Sequence, residues 1–122
     1  MNLEEIKTLE KQYVMQTYAR NDLFLVNGQG CMLYDDKGNS YIDMTSGIGV
    51  NCLGHNHPAL VEALHDQSQK LMHTSNLYYT EPMVQVAKEL VESTGMSKVF
   101  FANSGAEANE GVIKLARKYS SD

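Results

Sequence analysis

Phe101-Ala102-Asn103-Ser104-Gly105-Ala106-Glu107-Ala108-Asn109-Glu110 is the stretch whose local chemistry decides the fold. Its lead-in, Ser97-Lys98-Val99-Phe100-Phe101-Ala102, is dense in β-formers and lacks clean alternation, which predicts a strand covered on both faces over residues 97–102. Its continuation predicts a helix from near Ala106 toward Tyr119, with Ala108, Val112, Leu115, Ala116 and Tyr119 as the apolar stripe. A strand end, a Ser-Gly corner and a helix start make a cradle for an anion. Gly105 allows close backbone approach, and the first amides of the helix point outward without intrahelical partners. The dipole adds to that attraction. Ser104 could add a hydroxyl and Asn103 an amide. A plain cap explains the same residues: Ser104 or Asn103 caps, and Glu107, three residues after Ser104, completes a capping box. The two readings are compatible and both stay open at this point. Glu110 and Lys114 are spaced to pair at i,i+4. No Gly-Lys-Ser/Thr is present, so this is not a nucleotide-binding Walker loop.

Working outward, Thr80 caps a helix with Pro82 in its first turn; its face is Met83, Val84, Ala87, Leu90 and Val91, and Gly95 ends it. Pro58 opens another, with Leu60, Ala63, Leu64, Gln67, Leu71 and Met72 as its stripe, broken at His73-Thr74-Ser75-Asn76. Residues 46–58 hold three glycines and little periodicity, a composition that favours close backbone approaches or the lining of a site. Residues 23–45 predict a three-stranded antiparallel meander: strands at 23–26, 31–34 and 40–45, with turns at 27–30 and 35–39. A docking helix is predicted over residues 2–18, capped by Asn2 with Glu5 closing a capping box. The order implies an α+β part followed by the opening of a layered α/β domain. A single strand between helices is no sheet, so residues 97–102 are expected to need neighbours this sequence does not display, and autonomous folding is expected to be poor.

Length and charge narrow the classes. The 122 residues suit one compact domain or part of a larger one, and 43% hydrophobic content is too high for a disordered acidic chain. A net charge of -5 without a basic cluster argues against nucleic-acid binding. No run approaches the roughly 20 apolar residues that span a bilayer. The acidic, polar start, Met1-Asn2-Leu3-Glu4-Glu5, lacks the form of a signal peptide, and the cytoplasm is the default location. Cys31 and Cys52 form no C-x-x-C pair; two buried free thiols are preferred to one disulfide. His55 and His57 flank Asn56, and a structural or turn-stabilising role is preferred to a metal or substrate role; no metal site is expected. Tyr78 and Tyr79 face opposite ways in any extended segment, so one can pack and the other meet a partner or ligand.

Three motifs carry a resemblance. Ser104-Gly105-Ala106-Glu107-Ala108-Asn109-Glu110 with Lys114-Leu115-Ala116-Arg117-Lys118-Tyr119 resembles class III (subgroup II) aminotransferases. Ser46-Gly47-Ile48-Gly49-Val50-Asn51 with Leu53-Gly54-His55-Asn56-His57-Pro58, and Asn76-Leu77-Tyr78-Tyr79, match in the same order. The resemblance runs from about Tyr18 to Tyr119. It implies an α/β fold-type I transferase dependent on pyridoxal 5'-phosphate, usually a homodimer. Residues 1–57 would belong to the small α+β domain and 58–122 to the start of the large cofactor domain. It implies that Gly105, Ala106 and Ser104 serve the cofactor phosphate, and that Gly47, Asn51 and Tyr78 lie by the substrate. Many relatives have Thr where this chain has Ala106; the backbone donor survives that change and a side-chain hydroxyl does not. The implied reaction moves an amino group between an N-acetylornithine-type donor and 2-oxoglutarate in arginine biosynthesis. Ornithine, succinylornithine and 4-aminobutyrate are alternative donors, and a noncatalytic relative or interaction module is the alternative of another class. Family members are roughly three times this long, and their catalytic lysine, ring-pairing aspartate, stacking aromatic and carboxylate-binding arginine fall outside the matched part. No catalytic residue is therefore expected among residues 1–122, and Lys98, Lys114 and Lys118 are not candidates.

Overall fold

The structure, a computed structural model, describes residues 1–121 and combines helices with one small antiparallel sheet. Helix α1 spans Leu3–Tyr13. Its start is the expected capping box: the Glu5 amide donates to Asn2 Oδ1 at 3.0 Å, and the Asn2 amide donates to Glu5 Oε2 at 3.0 Å. Its end comes five residues before the expected Tyr18. Val14 is already extended, and the Gln16 amide group folds back to donate to the carbonyls of Glu10 and Val14 and to the Glu10 carboxylate. Arg20 joins the same carboxylate. A side chain thus takes over carbonyls that another helical turn would have used.

Strands β1 (Leu25–Gln29), β2 (Met32–Asp35) and β3 (Ser40–Ile42) form the meander in the order β1-β2-β3. The first expected boundary moves. Asn27, Gly28 and Gln29 are strand, paired with Tyr34, Leu33 and Met32, and the tight reversal lies at Gly30-Cys31. Gly30 takes φ +57°, which glycine adopts at little cost. The register shifts between Leu25 and Asn27, as at a bulge. The β2–β3 turn is wound about Asp35. One oxygen, Oδ1, accepts the Lys37 and Asn39 amides at 3.0 and 2.8 Å; Oδ2 accepts Asn39 Nδ2 and the Tyr41 hydroxyl, each at 2.9 Å. Four donors hold the Asp35 carboxyl down at about 2, the Asn39 side chain contributing most.

After β3, the single turn α2 (Ser46–Gly49) is left-handed in its interior. Helix α3 spans Pro58–Ser68, α4 Glu81–Thr94 and α5 Gly105–Ser121. Helix α3 stops before the expected Met72: Gln67 Nε2 donates to the Leu71 carbonyl at 2.8 Å, closing the chain over the helix end. Gly95 caps α4 with φ +71° and ψ 9°, as its position predicts. The strand expected over residues 97–102 is absent. That segment meets no strand partner among the described residues, and β-formers alone do not make a ladder.

The chain divides into two units, Met1–Met72 and His73–Asp122. Among the described residues no hydrophobic side chain is buried, and the one buried residue is Asp35, 6% exposed. The expected burial of both cysteines is also corrected: Cys31 and Cys52 are free, as preferred, but exposed.

Candidate functional site

In the unit His73–Asp122, the corner that opens α5 is set by local bonds. The Glu107 amide donates to Ser104 Oγ at 3.2 Å, and the Ala108 amide donates to the Ser104 carbonyl at 3.0 Å. Glu107 completes the box one residue earlier than expected: its carboxylate accepts the Asn103 amide at 2.7 Å rather than that of Ser104. This bond draws the Glu107 charge back over Asn103. Glu110 is paired with Lys114 at 3.1 Å, so the second acidic residue is partly neutralised. The amides of Gly105 and Ala106, the first two of the helix, have no acceptor among the described residues. A β-carbon on Gly105 would meet nothing within 4 Å, so the approach to these donors is open. The Phe100 ring lies against α5, where a β-carbon on Gly111 would stand 3.0 Å from its edge. Cap and anion cradle are therefore satisfied together: the Ser104 oxygen takes Glu107, and two amides remain for a ligand.

In the unit Met1–Met72, the glycine-rich passage is tied to the meander by Asp43 and His55. Asp43 Oδ1 accepts the Thr45 amide at 3.0 Å, the Thr45 hydroxyl at 2.8 Å and the Ser46 amide at 2.8 Å, while Oδ2 lies 2.7 Å from His55 Nε2. His55, ahead of the Thr45 and Ser46 donors, holds the Asp43 carboxyl down at about 2. His55 also exchanges both backbone bonds with Gly30, at 2.9 and 2.8 Å. A β-carbon on Gly54 would stand 3.0 Å from the Gly30 carbonyl oxygen, which explains why glycine occupies that contact.

These anchors hold α2 in a rare geometry. Ser46, Gly47, Ile48 and Gly49 all have positive φ, from 50° to 79°. Ile48 at φ 60° and ψ 49° is β-branched in the left-handed region, a conformation that costs about 1–3 kcal/mol. Its side chain is 96% exposed. Gly47 and Asn51 are brought together: a β-carbon on Gly47 would stand 2.9 Å from Asn51 Nδ2, and the Asn51 amide donates to the Ser46 carbonyl at 2.9 Å. Tyr78 lies in a turn closed by its amide on the Ser75 carbonyl at 3.2 Å, and Tyr79 is nearly fully exposed. The turn-stabilising role expected for His55 is met; its Asp43 partner, twelve residues away, carried no local signal. Among the described residues no group of three or more metal-ligating side chains is assembled.

The profile of the aminotransferase class-III family matches residues 13–122. The chain belongs to that family. Pyridoxal phosphate is the cofactor of these enzymes. The chain is 58% identical over 122 residues to the acetylornithine aminotransferase of Haemophilus ducreyi, covering all of this chain and 31% of the relative. It is 50% identical over 111 residues to the succinylornithine transaminase of Yersinia enterocolitica, covering 91% of this chain and 27% of the relative. Among solved structures, the acetylornithine aminotransferase of Elizabethkingia anophelis superposes with TM-score 0.92 at 36% identity, over 98% of this chain and 31% of that one. The taurine:2-oxoglutarate aminotransferase of Bifidobacterium kashiwanohense, solved with PLP and glutamate, superposes with TM-score 0.86 at 32% identity, over 97% and 28%. The chain thus spans about 30% of the length of the curated relatives it matches. No helix among the described residues is long and apolar enough to cross a membrane.

Proposed function

We propose that this chain supplies the phosphate corner of a pyridoxal-phosphate site in an enzyme that transfers an amino group between N-acetylornithine and 2-oxoglutarate, a step of arginine biosynthesis. The open amides of Gly105 and Ala106 carry the reading. They donate to phosphate oxygens, the helix dipole favours the dianion, and Ser104 keeps its hydroxyl proton free to donate while its oxygen accepts from Glu107. The bond from Asn103 keeps the Glu107 carboxylate off the anion. Bound there, the cofactor supplies a ring that accepts electrons during amino transfer. The contribution of these residues is to fix the ring's position, so that reacting groups supplied elsewhere meet in one geometry.

Gly47, Asn51 and Tyr78 serve the substrate side in this proposal. The left-handed turn at Ser46–Gly49 gives Gly47 and Asn51 a shared face. Residues 1–57 correspond to the small domain and 58–122 to the start of the cofactor domain. The active assembly is a cytoplasmic homodimer, with no nucleic-acid or membrane partner. Identity to succinylornithine transaminases at 50% supports a second reading, in which the donor carries a succinyl group in place of acetyl. In this proposal residues 1–122 alone are inactive, because the family's catalytic lysine is expected outside the part that this chain matches.

Cofactor binding to the 122-residue chain tests the proposal by fluorescence, with inorganic phosphate as competitor. Binding is expected to be phosphate-competitive and to weaken by about tenfold or more in Gly105→Val, whose side chain would crowd the two amides. Unchanged affinity in that variant, or bound cofactor that inorganic phosphate does not displace, overturns the assignment. Turnover of N-acetylornithine with 2-oxoglutarate by this chain, or a stoichiometric borohydride-trapped adduct on one lysine, overturns the claim of inactivity.

A further inference from the structure

Cys31 and Cys52 are far apart in sequence and share one cavity. The cavity, of about 190 Å³, is lined by both cysteines together with Gly30, Asp43, Ser46, Asn51, Gly54 and His55. Both thiols are free and exposed. Neither has a part in the phosphate corner or in the Asp43–His55 anchor. Their shared cavity follows from backbone geometry. Gly30 and His55 exchange two hydrogen bonds, and Cys31 adjoins Gly30. On the other side the Gly54 amide donates to the Asn51 carbonyl at 2.8 Å, bending residues 51–54 into a turn that carries Cys52. A β-carbon on Gly54 would stand 3.1 Å from Gly30 Cα, so the two backbones touch at the step between the cysteines. The Asp43 amide donates to the Cys31 carbonyl at 2.8 Å, fixing that residue from the β3 side.

We infer that Cys31 and Cys52 form a dithiol site that a small disulfide such as oxidised glutathione converts to an intramolecular disulfide. The inference does not rest on the proposed amino transfer, although Asn51, placed by the substrate in that proposal, lines the same cavity. One thiolate attacks a sulfur of oxidised glutathione, forming a mixed disulfide and releasing one reduced glutathione. The second thiolate attacks the protein sulfur of that mixed disulfide, forming the Cys31–Cys52 bond and releasing the second. Two electrons pass from the cysteines to the reagent, and the two thiol protons end on the two glutathione molecules. A disulfide requires its Cα atoms about 4.4–6.8 Å apart, a separation the Gly30–His55 junction has to permit. The bond would staple the meander to the passage that holds the strained turn.

Intact mass of the 122-residue chain after treatment with oxidised glutathione tests this, in native buffer and in denaturing urea. The expected product in buffer is the monomer short of two hydrogens, formed at least about tenfold faster than in urea, because the folded junction raises the local concentration of one thiol at the other. Cys31→Ser and Cys52→Ser each stop at a single glutathione adduct. Gly54→Ala, which forces the two backbones apart, slows closure toward the urea rate. Two glutathione adducts without closure, a covalent dimer as the main product, or equal rates in buffer and urea each overturn the inference.

Discussion

Two aspartates do most of the positioning that side chains do in this chain. Asp35 and Asp43 each gather four donors, and both are held at about 2, well under the ordinary carboxylate range. A carboxyl depressed in the folded state stabilises that state above its unfolded value and loses the effect as pH falls through the folded value. The two turns are therefore expected to hold at neutral pH and to loosen between about pH 4 and pH 2. Amide chemical shifts of Asn39 and Ser46, which donate to these carboxylates, should titrate with midpoints near 2; midpoints near 4 would show that the donors are not engaged. The donors around Asp35 lie within six residues of it, so the turn was legible in sequence. His55, the leading contributor at Asp43, is twelve residues away and was not.

Helix boundaries show which forces are local. Starts were legible: Asn2 with Glu5 and Ser104 with Glu107 cap as expected, while Thr80 stands at the cap position of α4 without a side-chain cap bond. Ends were not, because α1 and α3 stop where a glutamine side chain binds a nearby carbonyl, Gln16 reaching back to Val14 and Gln67 forward to Leu71. Strands fared worse. The β-formers at residues 97–102 pair with nothing described here, whereas Asn27-Gly28-Gln29 has weak strand composition and pairs fully. Pairing is a property of two segments, and one segment's composition does not report it. The cap of α5 gives a test at this scale. Ser104→Ala removes the acceptor of the Glu107 amide and should cost about 1 kcal/mol in the first turn, read as roughly fivefold faster exchange of that amide. Exchange at the wild-type rate would mean that the hydroxyl contributes nothing to the cap.

At the scale of the chain, the family is settled by a profile over residues 13–122, while no hydrophobic side chain among the described residues is buried. Leu77 is 85% exposed, Tyr119 86% and Leu115 71%. Hydrophobic burial is the dominant favourable term in folding, and these side chains do not contribute it here. The isolated chain should therefore bind a hydrophobic dye strongly and lose its helical signal over a broad temperature range. A sharp two-state melt with calorimetric and van't Hoff enthalpies equal would refute this. The poor autonomous folding expected from sequence rests on that measurement. A cell that made these 122 residues on their own would meet them as a chaperone client. The same uncovered leucines and tyrosines that want neighbours are what holdases and quality-control proteases select, so the abundance of the polypeptide would be governed by how fast something covers it.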